Sequence, residues 1–261
     1  INRPTSSSLL ILLSLSSLTI SPITTAQWVQ TGGPSGADVR CFAVSDTHLF
    51  AGTKGDGVFF STNNGTSWTA VNNGLANTVI YSLARNQSSL FSGTNGGVYL
   101  STNNGASWII ANYGITESGI RSLAISPNDT GNATLFVGTN GGGVFISTDN
   151  CMSWAGINNG LTNLSVKAIA FNGVNLFAGT LGGVFISTDN GTHWADASNG
   201  LTDTYVEALT FNHSNLYAGT LGGVFVSTNN GTSWVLAGLA NTNVYALLVS
   251  DTNLFAGTDG G

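Results

Sequence analysis

Along most of the chain, short apolar runs alternate with clusters of Gly, Asn, Asp, Ser and Thr, and no stretch shows the 3.6-residue period of an amphipathic helix. Val206 to Phe211, Leu216 to Thr220, Gly223 to Thr228 and Ser233 to Ala237 are typical runs. Each is rich in β-branched or aromatic residues and is bounded by turn formers, which predicts four short strands joined by tight turns. The four-run unit then repeats. Ser61 to Trp68, read S-T-N-N-G-T-S-W, returns as Ser101 to Trp108, Ser147 to Trp154, Ser187 to Trp194 and Ser227 to Trp234, at intervals of 40, 46, 40 and 40 residues. The long interval holds an insertion, Pro127 to Thr134, whose Asn, Asp and Gly residues suit a protruding loop. Trp28 precedes Trp68 by another 40 residues, so all six tryptophans occupy one repeat position.

A four-stranded unit of this length cannot bury both of its faces alone, and stacking such units radially predicts an all-β fold, a β-propeller of four-stranded blades. The units start near residues 39, 79, 120, 166, 206 and 244, the last one truncated. The strand at Trp28, five full units and two strands at Val244 and Leu254 sum to 23, one short of a six-blade ring. The strand at Trp28 is expected to complete the last blade, hiding both sheet edges; further repeats beyond Gly261 would raise the ring to seven or eight blades.

Composition narrows the partners. Charged residues are 7% of the chain, against roughly 25% in an average soluble domain, and six Lys plus Arg face twelve Asp plus Glu for a net charge of −6. No basic stripe exists to neutralise a phosphate backbone, which argues against nucleic acid. Residues 1–26 read as a secretory signal peptide: Arg3, an apolar run from Leu9 to Ile20, Pro22, and a small-residue site ending at Ala26. The run is short for a membrane span, so residues 27–261 are expected to form a secreted, cell-surface or periplasmic propeller without a transmembrane segment. The missing initiator Met and the end within a repeat read as those of a fragment. Cys41 stands at a small inner-strand position, where other copies have Ser or Ala, and Cys151 replaces a turn glycine two repeats away; both are expected to be free thiols.

The recurrent S-x-[DN]-x-G-x-[ST]-W segment resembles the Asp-box, the turn motif of sialidase-like and related propellers often called BNR repeats. The matching positions are Asn63, Asn103, Asp149, Asp189 and Asn229, followed by Trp68, Trp108, Trp154, Trp194 and Trp234. The physical reading agrees: the Asp or Asn side chain caps turn amides, the glycine takes positive φ, and Trp packs between sheets. Asn at three of the five positions keeps the capping but lowers any metal-binding potential, and Cys151 in place of glycine should strain its turn. The recurring L-F-A-G-T and G-G-V-F segments also resemble secreted bacterial photosystem II assembly-factor-like repeat proteins and, more distantly, sortilin-type propellers. These resemblances speak to fold and hardly to function.

Positions that differ between copies are where a ligand site could be written. The second residue of the innermost strand reads Arg40, Tyr81, Arg121, Lys167, Glu207 and Tyr245, and these are expected to ring one mouth of the central channel. A second variable position, Lys54, Asn95, Asn140, Leu181, Leu221 and Asp259, follows the A-G-T or S-G-T segment and should share that face. The expected function is a non-catalytic binding or scaffold propeller for a glycan, a peptide or another surface protein; long polar side chains filling a solvated channel mouth are the plainer account of the same pattern. An assembly factor docking a membrane protein complex is a further alternative. The resemblance also admits a sialidase-like glycoside hydrolase, which would need three arginines for a substrate carboxylate, a Tyr/Glu nucleophile pair and a general acid. Arg40, Arg85 and Arg121 supply the number, but Arg85 is out of register, and Glu207 with Tyr245 or Tyr205 is the one pair worth naming, Glu117 being the other glutamate. No catalytic residue is assigned. His48, His193 and His213 fall in turns of different units without ligand spacing, so neither a metal site nor a cofactor is expected. Eight N-x-S/T sequons, at Asn64, Asn86, Asn128, Asn132, Asn163, Asn190, Asn212 and Asn230, are what an Asn- and Thr-rich repeat supplies by chance.

Overall fold

The computed structural model describes residues 33–34, 37–45, 48–86, 88–126 and 134–259. Five four-stranded antiparallel sheets and one two-stranded sheet follow one another along the chain, each strand paired with its sequence neighbour. The first sheet contains β1 (Val39–Ser45), β2 (His48–Thr53), β3 (Val58–Ser61) and β4 (Thr69–Ala70); the second contains β5 (Ile80–Arg85), β6 (Leu90–Thr94), β7 (Gly97–Ser101) and β8 (Ile109–Ile110). The third contains β9 (Ile120–Ile125), β10 (Leu135–Thr139), β11 (Val144–Ser147) and β12 (Ala155–Gly156); the fourth contains β13 (Val166–Asn172), β14 (Asn175–Thr180), β15 (Gly183–Ser187) and β16 (Ala195–Asp196). The fifth contains β17 (Val206–Asn212), β18 (Asn215–Thr220), β19 (Gly223–Ser227) and β20 (Val235–Gly238), and the sixth β21 (Val244–Ser250) and β22 (Asn253–Thr258). The protein is thus an all-β propeller with a blade count of about six. Among the described residues there are 22 strands; Trp28, residues 1–26 and residues 127–133 of the insertion lie outside them.

The core sits between consecutive blades. In the five four-stranded sheets the second strand is buried along most of its length, and Phe50, Phe91, Phe136 and Phe177 of its L-F repeat are at most 1% exposed. The glycine of the G-T pair in that strand is required by close approach: a Cβ on Gly179 would lie 2.7 Å from Val206 Cγ1 of the next blade, and on Gly93 2.7 Å from Ile120 Cγ2. Ile80, Ile120, Val166, Val206 and Val244, the first residues of their inner strands, are each 0% exposed and, through Gly52, Gly93, Gly138, Gly179 and Gly219, press directly on the preceding blade's backbone. Gly257 of the sixth sheet has only the Ala246 Cβ nearby, at 3.4 Å.

The turn joining third and fourth strands is built identically in each full copy. Ser61 Oγ donates to Asn63 Oδ1 at 2.9 Å and accepts from Gly65 N at 3.0 Å, while Asn63 Oδ1 also accepts from Ser67 N at 2.9 Å. The expected side-chain cap is therefore shared with the serine that opens the motif. Two successive residues take positive φ, Asn64 (53°) then Gly65 (79°), and Cys151 is held in the same conformation at 68°, a region that costs a residue with a Cβ about 1 kcal/mol or more. In the second to fifth blades the tryptophan that closes the motif then clamps the preceding blade. Trp194 Nε1 donates to Ile157 O at 2.7 Å and Trp194 N to Asn159 O at 2.8 Å. Trp108, Trp154 and Trp234 repeat the indole bond to Val71, Ala111 and Ala197. Trp68 Nε1 is buried with no hydrogen-bond partner among the described residues.

Candidate functional site

Every inner strand carries one irregularity, always at the same place. Val39 pairs with Thr53 and Cys41 with Gly52, leaving Arg40 without a partner in the ladder. Tyr81, Lys167, Glu207 and Tyr245 are skipped in the same way in their pairings with β6, β14, β18 and β22, and Arg121 is skipped between Ile120 and Ser122 opposite Thr139 and Gly138. A β-bulge takes one residue out of the alternation and re-aims its side chain. The six variable residues are the six bulge residues, and together they line one cavity of about 610 Å³ with Asp38, Val39, Ala246, Gly257 and Thr258. Because β1 pairs antiparallel with β2, the connection after Thr53 lies at the same end as Arg40, whereas the turn after Ser61 lies at the opposite end of the blade.

The second variable set divides. Asn140 Oδ1 accepts from Lys167 Nζ at 3.4 Å and Ser165 Oγ at 3.4 Å. Asp259 accepts from Asn243 Nδ2, and its bond with the Tyr245 hydroxyl is the main reason that the phenol is held above its ordinary range. None of the six is among the residues lining the cavity; Asn140 and Asp259 meet it only through Lys167 and Tyr245, and Lys54, Asn95, Leu181 and Leu221 bond to none of its six bulge residues among the described residues.

Charge around the mouth is unevenly matched. Arg40 Nη2 meets Asp38 Oδ2 at 2.8 Å, so the first blade neutralises its own cation. The Arg121 guanidinium carbon lies 3.9 Å from the centre of the Tyr81 ring, a cation–π geometry, and its Nε is buried without a hydrogen-bond partner. Asp38 was missed by repeat comparison, because it precedes the strand and its role depends on the bulge beside it.

Elsewhere, the remaining candidates serve structure. Asp189 takes the His193 amide at 2.9 Å and the His193 imidazole at 2.7 Å, bonds that lower its carboxyl to about 2; Asp149 is lowered chiefly by the Ser153 hydroxyl. Arg85 reaches Asn104 Oδ1 at 3.4 Å, on the face away from the mouth. Cys41 and Cys151 are free thiols, each pushed up to about 12 by burial. Among the described residues, no three His, Cys, Asp or Glu side chains gather to hold a metal ion, and no helix is long and apolar enough to cross a membrane. A second cavity, about 570 Å³, lies where Ile109, Ile110 and Tyr113 of the second blade meet Cys151 and Met152 of the third.

Known proteins share this architecture. An ancestral GH74 enzyme is 27% identical with a TM-score of 0.57 over 69% of this chain and 27% of its own. The extracellular domain of BT4673, a putative hybrid two-component system from B. thetaiotaomicron, is 18% identical with a TM-score of 0.70 over 90% of this chain and 33% of its own. YCF48 bound to D1 peptide is 14% identical with a TM-score of 0.68 over 89% and 78%. The chain therefore spans about a quarter of the GH74 enzyme and a third of the BT4673 domain. Among curated proteins none matches. The family model of the DUF6242 β-propeller domain matches residues 14–199, more than half of the chain, and the protein belongs to that family.

Proposed function

We propose that the protein is a secreted, non-catalytic binding module whose ligand seats on the six bulge side chains. The observation that carries this reading is their convergence: the strand position that differs most between copies is the one whose side chain each bulge turns into a shared cavity. Side chains that pack blades together are held to Gly, Val, Ile, Phe or Trp by contact with a neighbour, whereas the bulge residues stand outside the strand ladder and meet one another only at the mouth, as Arg121 meets Tyr81. The Asp-box reading of the opposite turns supports the same division, since those turns spend their polar atoms on themselves. Extracellular placement is supported by the signal-like residues 1–26 and by likeness to an extracellular sensor domain.

A glycan and peptide array screened with the whole chain tests the reading. Saturable binding that is lost in an Arg40→Ala/Arg121→Ala variant and kept in an Asp189→Asn variant is the expected result. Binding that survives every mouth substitution would refute it. Likeness to a GH74 enzyme at 27% identity, with Glu207 at the mouth, favours a second reading as a glycoside hydrolase. Hydrolysis of an array glycan that stops in Glu207→Gln would establish it.

A further inference from the structure

We infer that the mouth takes a carboxylated sugar, its carboxylate held between Arg121 and Lys167 and its hydroxyls turned to Glu207. The inference rests on the binding reading of the mouth and gives the ligand its chemistry. The chain has only six cationic side chains, Arg3, Arg40, Lys54, Arg85, Arg121 and Lys167, and three of them line this one cavity.

Their partners separate them. Arg40 is matched by Asp38, and the Asp259 carboxylate is occupied by Asn243 and Tyr245. The Arg121 guanidinium sits over the Tyr81 ring and, among the described residues, makes no ion pair. Among the described residues, the one hydrogen bond of Lys167 Nζ goes to the neutral amide oxygen of Asn140, at 3.4 Å. Two adjacent blades therefore present two positive charges without an anion, in a chain with twice as many acids as bases. A guanidinium laid over an aromatic ring can still turn its Nη N–H groups toward the two oxygens of a carboxylate.

The next blade adds the complement. Glu207 makes no hydrogen bond or ion pair among the described residues and, ionised, only accepts. It suits hydroxyl groups on the molecule that brings the carboxylate, and the Tyr245 ring beyond it, 48% exposed, offers a flat apolar face. Acidic peptides and other polyanions fit less well, because any charge beyond the first meets Glu207, Asp38 and Asp259 around the rest of the mouth. One carboxylate with several hydroxyls satisfies each group without that repulsion.

Titration calorimetry with methyl β-D-glucuronide and methyl β-D-glucoside tests this, since the two differ at the carboxylate alone. Inorganic phosphate and tetra-alanine as free acid and as amide complete the probes. The glucuronide should bind at least about tenfold more tightly than the glucoside, phosphate or either peptide, the scale of one charge-assisted bond. Arg121→Ala and Lys167→Ala should each lose about tenfold, while Asp189→Asn, in the turn at the opposite end of the blade, should change little. Equal binding of the two sugars, or preference for phosphate or for the free-acid peptide, overturns the inference. Should the array instead yield a neutral ligand lost in the Arg40/Arg121 variant, the binding reading stands and the carboxylate falls; glucuronide binding untouched by Arg121→Ala, by Lys167→Ala and by the Arg40/Arg121 variant removes both. Urea unfolding midpoints show that each variant is folded.

Discussion

The two ends of each blade obey opposite rules. At the end carrying the S-x-[DN]-x-G-x-[ST]-W turn, the hydrogen bonds of the first copy reappear in the fourth and fifth with distances within a few tenths of an ångström: Ser187 Oγ to Asp189 Oδ1 is 2.8 Å and Ser227 Oγ to Asn229 Oδ1 is 2.9 Å, against 2.9 Å for Ser61 and Asn63. At the bulge end, one backbone geometry carries Arg, Tyr, Arg, Lys, Glu and Tyr in turn. Where a side chain completes a turn or reaches a neighbouring blade its identity is fixed; where the bulge releases it from the ladder the position is open to ligand chemistry. The difference teaches that here repetition marks the scaffold and departure from repetition marks the side chains that line the cavity.

The strongest way to break that division is to put a side chain where the repeat forbids one. Gly179→Val would place Cβ 2.7 Å from Val206 Cγ1 and 3.2 Å from Leu209 Cγ, both belonging to a blade that cannot move without opening the clamp at Trp234. Overpacking of this kind costs about 1–3 kcal/mol and more when backbone must shift, so the variant should lose about 3 kcal/mol or fail to accumulate folded. A urea titration reads the effect. An unchanged midpoint would show that the blades are spaced loosely enough to make the glycine repeat incidental.

A smaller effect separates copies of the same residue. Trp194→Phe removes the indole bond to Ile157 O, 2.7 Å, and leaves that carbonyl short of a donor, which costs about 1–3 kcal/mol for a buried group. Trp68→Phe removes a buried N–H that has no hydrogen-bond partner among the described residues. Both substitutions shrink the ring alike, so the difference between their unfolding free energies isolates the clamp. Trp194→Phe should be the more destabilising by about 1 kcal/mol, and equal losses would mean that packing rather than the hydrogen bond holds neighbouring blades.

How far this was legible follows from the range of the interactions involved. Blade number, the four-strand unit and the six mouth positions all come from residues compared at a fixed spacing, and Trp28 alone of the repeat's markers lies outside the described residues. The bulge was not legible, because it exists only when Val39 is set against Thr53 and Cys41 against Gly52. Nor was the serine's part in the turn, since any polar residue of that size reads as a turn former until its Oγ is seen bonded to both Asn63 and Gly65 N. The Trp indole bond spans 37 residues in three of its copies and 43 across the insertion, and a sequence shows the tryptophan without its carbonyl. The unequal pairing of the mouth cations, Arg40 with Asp38 and Arg121 on Tyr81, likewise depends on side chains that meet across separate pairings.

The mildest test asks whether the turn end relies on charge or on geometry alone. Asp189 is lowered to about 2 by the amide and imidazole of His193, below the ordinary carboxylate value of about 3.9 in an unfolded chain. A folded-state value below the unfolded one means that the contribution is fully present above about pH 4 and is lost as pH falls through about 2. The turns at Asn63, Asn103 and Asn229 make the same bonds with no titrating group. Asp189→Asn should therefore leave the urea midpoint at pH 7 nearly unchanged, because an amide oxygen can still cap the His193 amide as Asn229 caps that of Ser233. Between pH 4 and pH 2 the variant should lose less stability than the parent, and the gap between the two curves should close as pH rises again. A midpoint that falls at pH 7 would mean that the Asp189–His193 pair supplies something the asparagine copies do without, and the equivalence of the five turns would no longer hold.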